Sequence, residues 1–288
     1  MRLSGRVWAA ALAVSAALAA GAAPLTAQFR PEEIAQREMW ENFMRTAEII
    51  KFEPVGEGVT HPWKLTLRRG DVEHKAVWKN IDILDGEIPD RWRFEIAAYR
   101  LDKLLGLNMI PPVVEREFRG KPGDLSLWAD NKFSLLKKEE ENIPTPESAS
   151  AQVAAMKYLT RAWDCLIAND DRTQQNILYT EDWRTILFDH SRAFRSDKDH
   201  RERLIYGSNG IKTMDDGRGG RRPVLFRRLP RAFVEKIRSL EKAAVQAAVG
   251  PYLTEAEIDA LMARKPILLA EIDDMIKQEG EKAVLYLP

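Results

Sequence analysis

The chain has 288 residues, and 45% of them are apolar against 31% charged, a balance that can fill one large or two small globular cores. Lysine plus arginine and aspartate plus glutamate stand level at 44 each, which excludes a global field for anionic lipid or nucleic acid and predicts no nucleic-acid partner. The single cysteine, Cys165, excludes an intramolecular disulfide and a thiolate metal site, and its apolar helical surroundings make it a core thiol.

At the N-terminus, Arg2 and Arg6 precede an uncharged, alanine-rich run from Val7 to Ala23, and the small residues of GAAPLTAQ follow. Charged, apolar, then small is the order of a secretory signal peptide. Residues 1–27 are therefore expected to be a cleaved leader, cut near Ala23 or Ala27, and the mature protein to be exported, periplasmic or secreted, with no stable membrane span. The alternative is an uncleaved anchor over residues 7–25, a run near spanning length but built of weakly apolar alanine.

Residues 28–136 read as an N-terminal lobe with a helical lead-in, in which Trp40, Phe43, Ala47 and Ile50 recur at helical spacing. Residues 64–84 then show short alternating runs around Gly70-Asp71, a hairpin signature that puts Ala76 and Trp78 on one face and Val77 and Lys79 on the other. Phe94, Ala97, Ala98, Leu101, Leu104 and Leu105 mark an amphipathic helix that stops at Gly106. Two more strand-like runs follow, so this lobe reads strand, strand, helix, strand, strand. The charged, Pro- and Ser-containing segment 137–150 reads as a linker loop.

Residues 151–288 read as a larger, mostly helical C-terminal lobe. A long helix over Val153, Met156, Leu159, Trp163 and Ile167 ends at Asn169, and the short apolar strands ILYT and TILFD form a hairpin around Glu181-Asp182. The basic run 217–231 reads as a solvated loop entering a helix, and Thr254 with Glu257 forms a capping box ahead of the last long helix.

The chemistry-bearing residues cluster at the start of the C-terminal lobe. Phosphoryl transfer needs a divalent cation, a carboxylate near the incoming hydroxyl and a cation on the inner phosphates. Hard cations take oxygen ligands. Asp171, Asn176 five residues on, and Asp189 thirteen further supply such oxygens, and the hairpin returns Asp189 toward Asn176. The same residues also read as helix-end and turn polar groups. In the N-terminal lobe Lys79 is either a phosphate clamp or an edge-strand lysine reaching water. Glu95 is either its partner or an acidic first-turn residue favoured by the helix dipole. Gly56 and Gly58 could let backbone amides approach a phosphate, although two glycines are a thin signal for such a loop.

The segments GVTHPWKLTL, HKAVWK, FEIAAYRLDKLLGLNMIPPVVER, GDLSLW, LIANDDRTQQNIL and LFDHSRAF together resemble the atypical kinases that group HipA-like kinases, phosphatidylinositol 3- and 4-kinases and secretory-pathway Golgi kinases. The resemblance implies a two-lobed, protein-kinase-like α+β fold. It implies that Lys79 holds the phosphates of ATP with Glu95 as its partner, that Asp171 is catalytic, and that Asn176 and Asp189 bind Mg or Mn. The implied reaction moves the terminal phosphate to a hydroxyl on a protein, lipid or sugar. These relatives commonly carry Asp-Arg-His where this chain has Asp171-Arg172-Thr173. That departure and the thin glycine loop keep an exported pseudokinase, a nucleotide-binding or scaffolding module without turnover, as the alternative.

Overall fold

A computed structural model describes residues 29–56 and 62–287. The leader expected over residues 1–27 lies outside the described residues, as does Gly58. Among the described residues no helix is long and apolar enough to cross a membrane.

The described chain is mixed α+β, sheet-rich in its N-terminal part and helical in its C-terminal part. The first part runs α1 (Pro31–Ala35), α2 (Arg37–Thr46), β1 (Glu48–Pro54), β2 (Trp63–Arg69), β3 (Val72–Lys79), β4 (Asp82–Asp85), β5 (Ile88–Arg91), α3 (Trp92–Leu105), β6 (Val113–Phe118) and β7 (Lys121–Leu127). Five of these strands make an antiparallel sheet in the order β1-β2-β3-β7-β6. β1 corrects the sequence reading, in which the helical spacing ran on to Ile50. The helix stops because Ala47 turns extended, at φ −64° and ψ 148°. The Arg116 guanidinium then caps it, Nη1 donating to the Met44 carbonyl at 2.9 Å and to that of Arg45, and Nη2 to that of Ala47 at 2.9 Å.

The register sorts the sheet into two faces. Trp63 opposes Trp78, Leu65 opposes Ala76, and Leu125 lies beside both Trp78 and Val114. This apolar face packs on Phe43, Met44 and Ala47 of the lead-in, and burial of each large side chain contributes on the order of 2 kcal/mol. The opposite face carries Val77, Lys79, Asp124 and Ser126. α3 buries most of its surface, including Phe94, Ala98, Leu101 and Leu105, and ends on Gly106 in the left-handed region at φ 69°. α2 is tied to it by Glu41 Oε1, which accepts from Tyr99 Oη at 2.6 Å and from Lys103 Nζ at 2.7 Å.

The second part runs β8 (Phe133–Ser134), α4 (Leu135–Glu140), α5 (Glu147–Ile167), β9 (Ile177–Tyr179), β10 (Thr185–Leu187), α6 (Lys198–Glu202), β11 (Thr213–Asp215), β12 (Arg221–Pro223), α7 (Arg231–Arg238), α8 (Lys242–Val249) and α9 (Glu255–Glu279). The expected linker loop is helical at both ends, since α4 and α5 leave only 141–146 between them. Ser134 Oγ accepts from the Lys137 amide at 3.2 Å and starts α4, whose lysines and glutamates are good helix formers. The basic run is likewise not all loop, because β11 and β12 pair as an exposed hairpin. Thr254 and Glu257 form the expected reciprocal box at the head of α9, and Cys165 is wholly buried as expected.

Candidate active site

Lys79, at the last position of β3, is buried between the sheet and α3. Its Nζ donates to Glu95 Oε1 and to Asp189 Oδ1, both at 2.9 Å. Burial works against the ammonium, but Asp189 and Glu95, with Asp124 beside them, hold its pKa well above the ordinary lysine value. The lysine is therefore charged across the whole physiological range, and it lies on a central strand of the sheet rather than at a wet edge.

Glu95 sits in the first turn of α3 and is almost fully buried. Oε1 also accepts from the His190 amide at 2.6 Å, and Oε2 lies 3.3 Å from His190 Nδ1. Burial opposes ionisation here, yet the Lys79 ammonium and His190 hold the Glu95 carboxyl well below the usual carboxylate range. Burial lowers the His190 pKa, as does the nearby Arg172 guanidinium, so the imidazole is neutral at pH 7. One carboxylate thus fixes both the lysine and the chain just after Asp189.

The loop after α5 begins where Ala168 takes the left-handed conformation at φ 49° and ends the helix. Arg172 anchors it. Its Nη2 lies 3.0 Å from Asp164 Oδ1 and its Nε 3.2 Å from Oδ2, a bidentate buried pair, while Nη1 donates to the Phe188 carbonyl at 2.7 Å. α5, the loop and the end of the β9–β10 hairpin are thereby held together. Asn176 is buried, and its Nδ2 donates to the Asp171 carbonyl at 3.4 Å, leaving the amide oxygen for another partner.

Asp171 is about half exposed, with Arg192 Nε 3.9 Å from its Oδ2. Partial burial, with Asp189 and Asp170 nearby, raises its pKa above the ordinary value against Arg192 and Lys212. A carboxylate so placed is a stronger base than a free one. Its neighbour Asp170 is already engaged, by Arg195 at 3.5 Å and His200 at 3.3 Å, and its carbonyl accepts from Lys212. Asp189 follows β10 at φ 59°, a left-handed turn that aspartate tolerates better than most residues.

Lys79, Glu95 and Asp189 are joined directly, and Asp171 and Asn176 share one loop beside them. Gly56 is exposed in the β1–β2 connection, and among the described residues nothing lies within 4 Å of where its Cβ would be. Among the described residues no three His, Cys, Asp or Glu side chains gather as a cage for an ion. The donors on offer to a divalent cation are the Asp189 carboxylate and the Asn176 carboxamide oxygen. That set suits Mg or Mn, which bind through one or two carboxylates and leave the other positions to water and phosphate.

Three contributors were not singled out from the sequence. Asp124 is wholly buried opposite Lys79. Arg264 of α9 is wholly buried too, donating to the carbonyls of Leu166, Arg195 and His200 at 2.9, 2.8 and 3.2 Å, and burial lowers its pKa to about 9. Arg192 holds Asp90 at 3.0 Å and Asp85 at 3.1 Å beside Asp171. A cavity of about 430 Å³ lies apart from all of these, on the α2 side of the sheet, lined by Trp40, His74, Trp128 and Arg184. Its cationic walls are paired, Arg30 with Asp182 at 2.8 Å and Arg184 with Glu33 at 2.7 Å, so it lacks the convergent free groups of a reaction centre. No protein-family model and no curated protein matches this chain.

Proposed function

We propose that the protein is a metal-dependent phosphotransferase with a two-lobed, kinase-like fold, moving the terminal phosphate of ATP to a hydroxyl on a protein, lipid or sugar. The observation that carries this reading is the bond set on Lys79, which joins Glu95, 16 residues away, and Asp189, 110 residues away, at 2.9 Å each. A lysine held charged by a helix carboxylate, facing an Asp and Asn at the end of a hairpin, is the set that phosphate binding and metal binding require.

The geometry supports the following roles. Lys79 binds the inner phosphates, and Glu95 keeps its ammonium oriented toward them. Asn176 and Asp189 would hold Mg or Mn, whose charge, when bound, offsets that of the phosphates. Asp171 accepts the proton of the incoming hydroxyl. The hydroxyl oxygen bonds to the terminal phosphorus while the bond from that phosphorus to the bridging oxygen breaks, and the electron pair leaves with ADP. Arg172 keeps the loop in register, and Thr173, where the kinases that the sequence resembles commonly carry histidine, takes no part in these steps.

A second reading is a nucleotide-binding module without turnover, and one observation favours it: Asp189 Oδ1 is already engaged, by Lys79 at 2.9 Å and Ser191 at 3.4 Å. One assay decides between them. Mature protein with Mn and labelled ATP should transfer phosphate to itself or to a generic acceptor. Asp171→Ala should lower kcat by about 10²–10⁴-fold, and Asp189→Ala should abolish transfer. Equal rates in wild type and both variants would overturn the enzyme, and a nucleotide-induced thermal shift without transfer would establish the silent module.

A further inference from the structure

Asp124 is the buried acid beside Lys79 to which the proposed reaction gives no role. It stands directly opposite Lys79 in the β3–β7 pairing, and opposed residues in an antiparallel pair leave the same face with Cβ atoms about 4.5–5.5 Å apart. Its side chain is wholly buried. Ser126 Oγ donates to Oδ2 at 3.2 Å, while Oδ1 meets no hydrogen-bond donor among the described residues. An orphan oxygen in such a place costs about 1–3 kcal/mol. Complete burial also keeps a ligand from touching the carboxyl as it stands, so the donor that offsets this cost must come from the protein.

The lysine ammonium has three N–H groups. Two are taken, by Glu95 Oε1 and Asp189 Oδ1. Asp189 is the exposed member of the set, with 40% of its side chain open against 3% for Glu95, and besides Lys79 its Oδ1 accepts only a long bond from Ser191 Oγ, at 3.4 Å, among the described residues. If it swings to a cation, the ammonium keeps Glu95, offers one N–H to phosphate and has one left over.

We propose that Asp124 is a positioning residue for Lys79: once Asp189 leaves the ammonium, the spare N–H turns to Asp124 Oδ1 and the lysine is anchored from the sheet as well as from α3. Three donors then meet three acceptors, Glu95, Asp124 and phosphate. The inference rests on the reading of Lys79 as the phosphate-holding lysine, but its first test needs no nucleotide. A crystal structure of Asp189→Ala, free of ligand, should place Lys79 Nζ at about 3 Å from Asp124 Oδ1, an ordinary hydrogen-bond distance. An ammonium that stays out of reach of Oδ1 overturns the proposal, whether or not the protein is an enzyme.

The second test uses binding of ATP with Mn by calorimetry, alongside the melting temperature. Asp124→Asn keeps an acceptor oxygen and should bind within about threefold of wild type. Asp124→Leu keeps the bulk and loses the acceptor, and should bind at least about tenfold more weakly, the loss of one hydrogen bond to a charged group. Its melting temperature should hold or rise, because burial pushes the Asp124 carboxyl pKa well up and an apolar replacement removes a buried oxygen that has no donor among the described residues. Leucine binding as tightly as wild type, or asparagine binding as weakly as leucine, would sink the idea. A wild type that binds no nucleotide would instead overturn the phosphotransferase reading, and the Asp189→Ala structure would still decide the role of Asp124.

Discussion

Gly123 precedes Asp124 and shows how tightly the site is built into the sheet. A Cβ at this position would run into the Lys79 carbonyl and lie 2.7 Å from the Trp78 indole. The indole cannot retreat freely, because its Nε1 donates to the Arg116 carbonyl at 2.9 Å. Gly123→Ala should therefore destabilise the fold by about 2 kcal/mol, the scale of overpacking in a filled core, and should weaken nucleotide binding by shifting Lys79. Urea midpoints read the first effect and calorimetry the second. Gly56→Ala is the control, with nothing near its Cβ among the described residues, and should stay within about 0.5 kcal/mol of wild type. Lys79, Glu95, Asp171, Asn176 and Asp189 could all be named from the sequence because each occupies a position that periodicity marks: a strand end, a first helical turn, a loop after a helix, the far end of a hairpin. Asp124 could not. In Gly-Asp-Leu-Ser-Leu-Trp it takes the polar place of an alternating strand, which reads as facing water, and only the pairing with β3 and the cover of α3 bury it. Arg264 was hidden for the same reason: a charged helical residue signals solvent until three orphan carbonyls converge on it.

At the scale of elements, α3 is the part whose placement decides whether Glu95 reaches Lys79, and Asp102 docks its far end. Asp102 is wholly buried, with Oδ1 accepting from the Met109 amide at 2.9 Å and Arg37 Nη2 at 3.7 Å from Oδ2. Burial pushes its pKa up to about 7, from 3.8, against the Met109 and Arg37 contributions. Between those two values the folded state binds more protons than the unfolded chain. The stabilisation is therefore complete below about pH 4 and is lost as pH rises through 7, by about 4 kcal/mol at about 1.4 kcal/mol per unit. Asp102→Asn should remove that dependence, and the check is the difference in urea midpoint between variant and wild type at pH 4.5 and pH 7.5. Parallel curves would show that the carboxyl is ionised throughout. The hairpins and α3 were legible because turn residues and apolar period agreed there. β1 was not, since Ile49 and Ile50 continue a helical spacing that an Arg116 cap from a distant strand interrupts. Nor was α4, whose charged residues favour helix without an apolar stripe to announce it.

At the scale of the whole molecule, the candidate site draws on both parts of the chain. Lys79 and Glu95 come from the sheet and α3, while Asp171, Asn176 and Asp189 come from the helical part. α1 and α2 strap the two together, with Arg30 and Glu33 on the β9–β10 hairpin and Glu41 on α3. A ligand held from both sides must favour the closed, folded arrangement over the unfolded chain. Nucleotide with Mn at about 100 times its Kd should contribute about 2.7 kcal/mol, which for a protein of this size raises Tm by roughly 5–10 °C. Lys79→Met should abolish that shift and should itself lower the unliganded Tm, because it leaves the buried Glu95 carboxylate without its cation, a loss of about 3–5 kcal/mol. The magnesium-free and manganese-free samples should show little shift, since Lys79 alone then faces the phosphates. If Lys79→Met kept the full shift, nucleotide would be binding elsewhere, and the cavity lined by Trp40 and Trp128 on the other face of the sheet would become the place to look. The balanced charge of the chain sharpens this comparison, because no broad positive field is present to hold nucleotide nonspecifically.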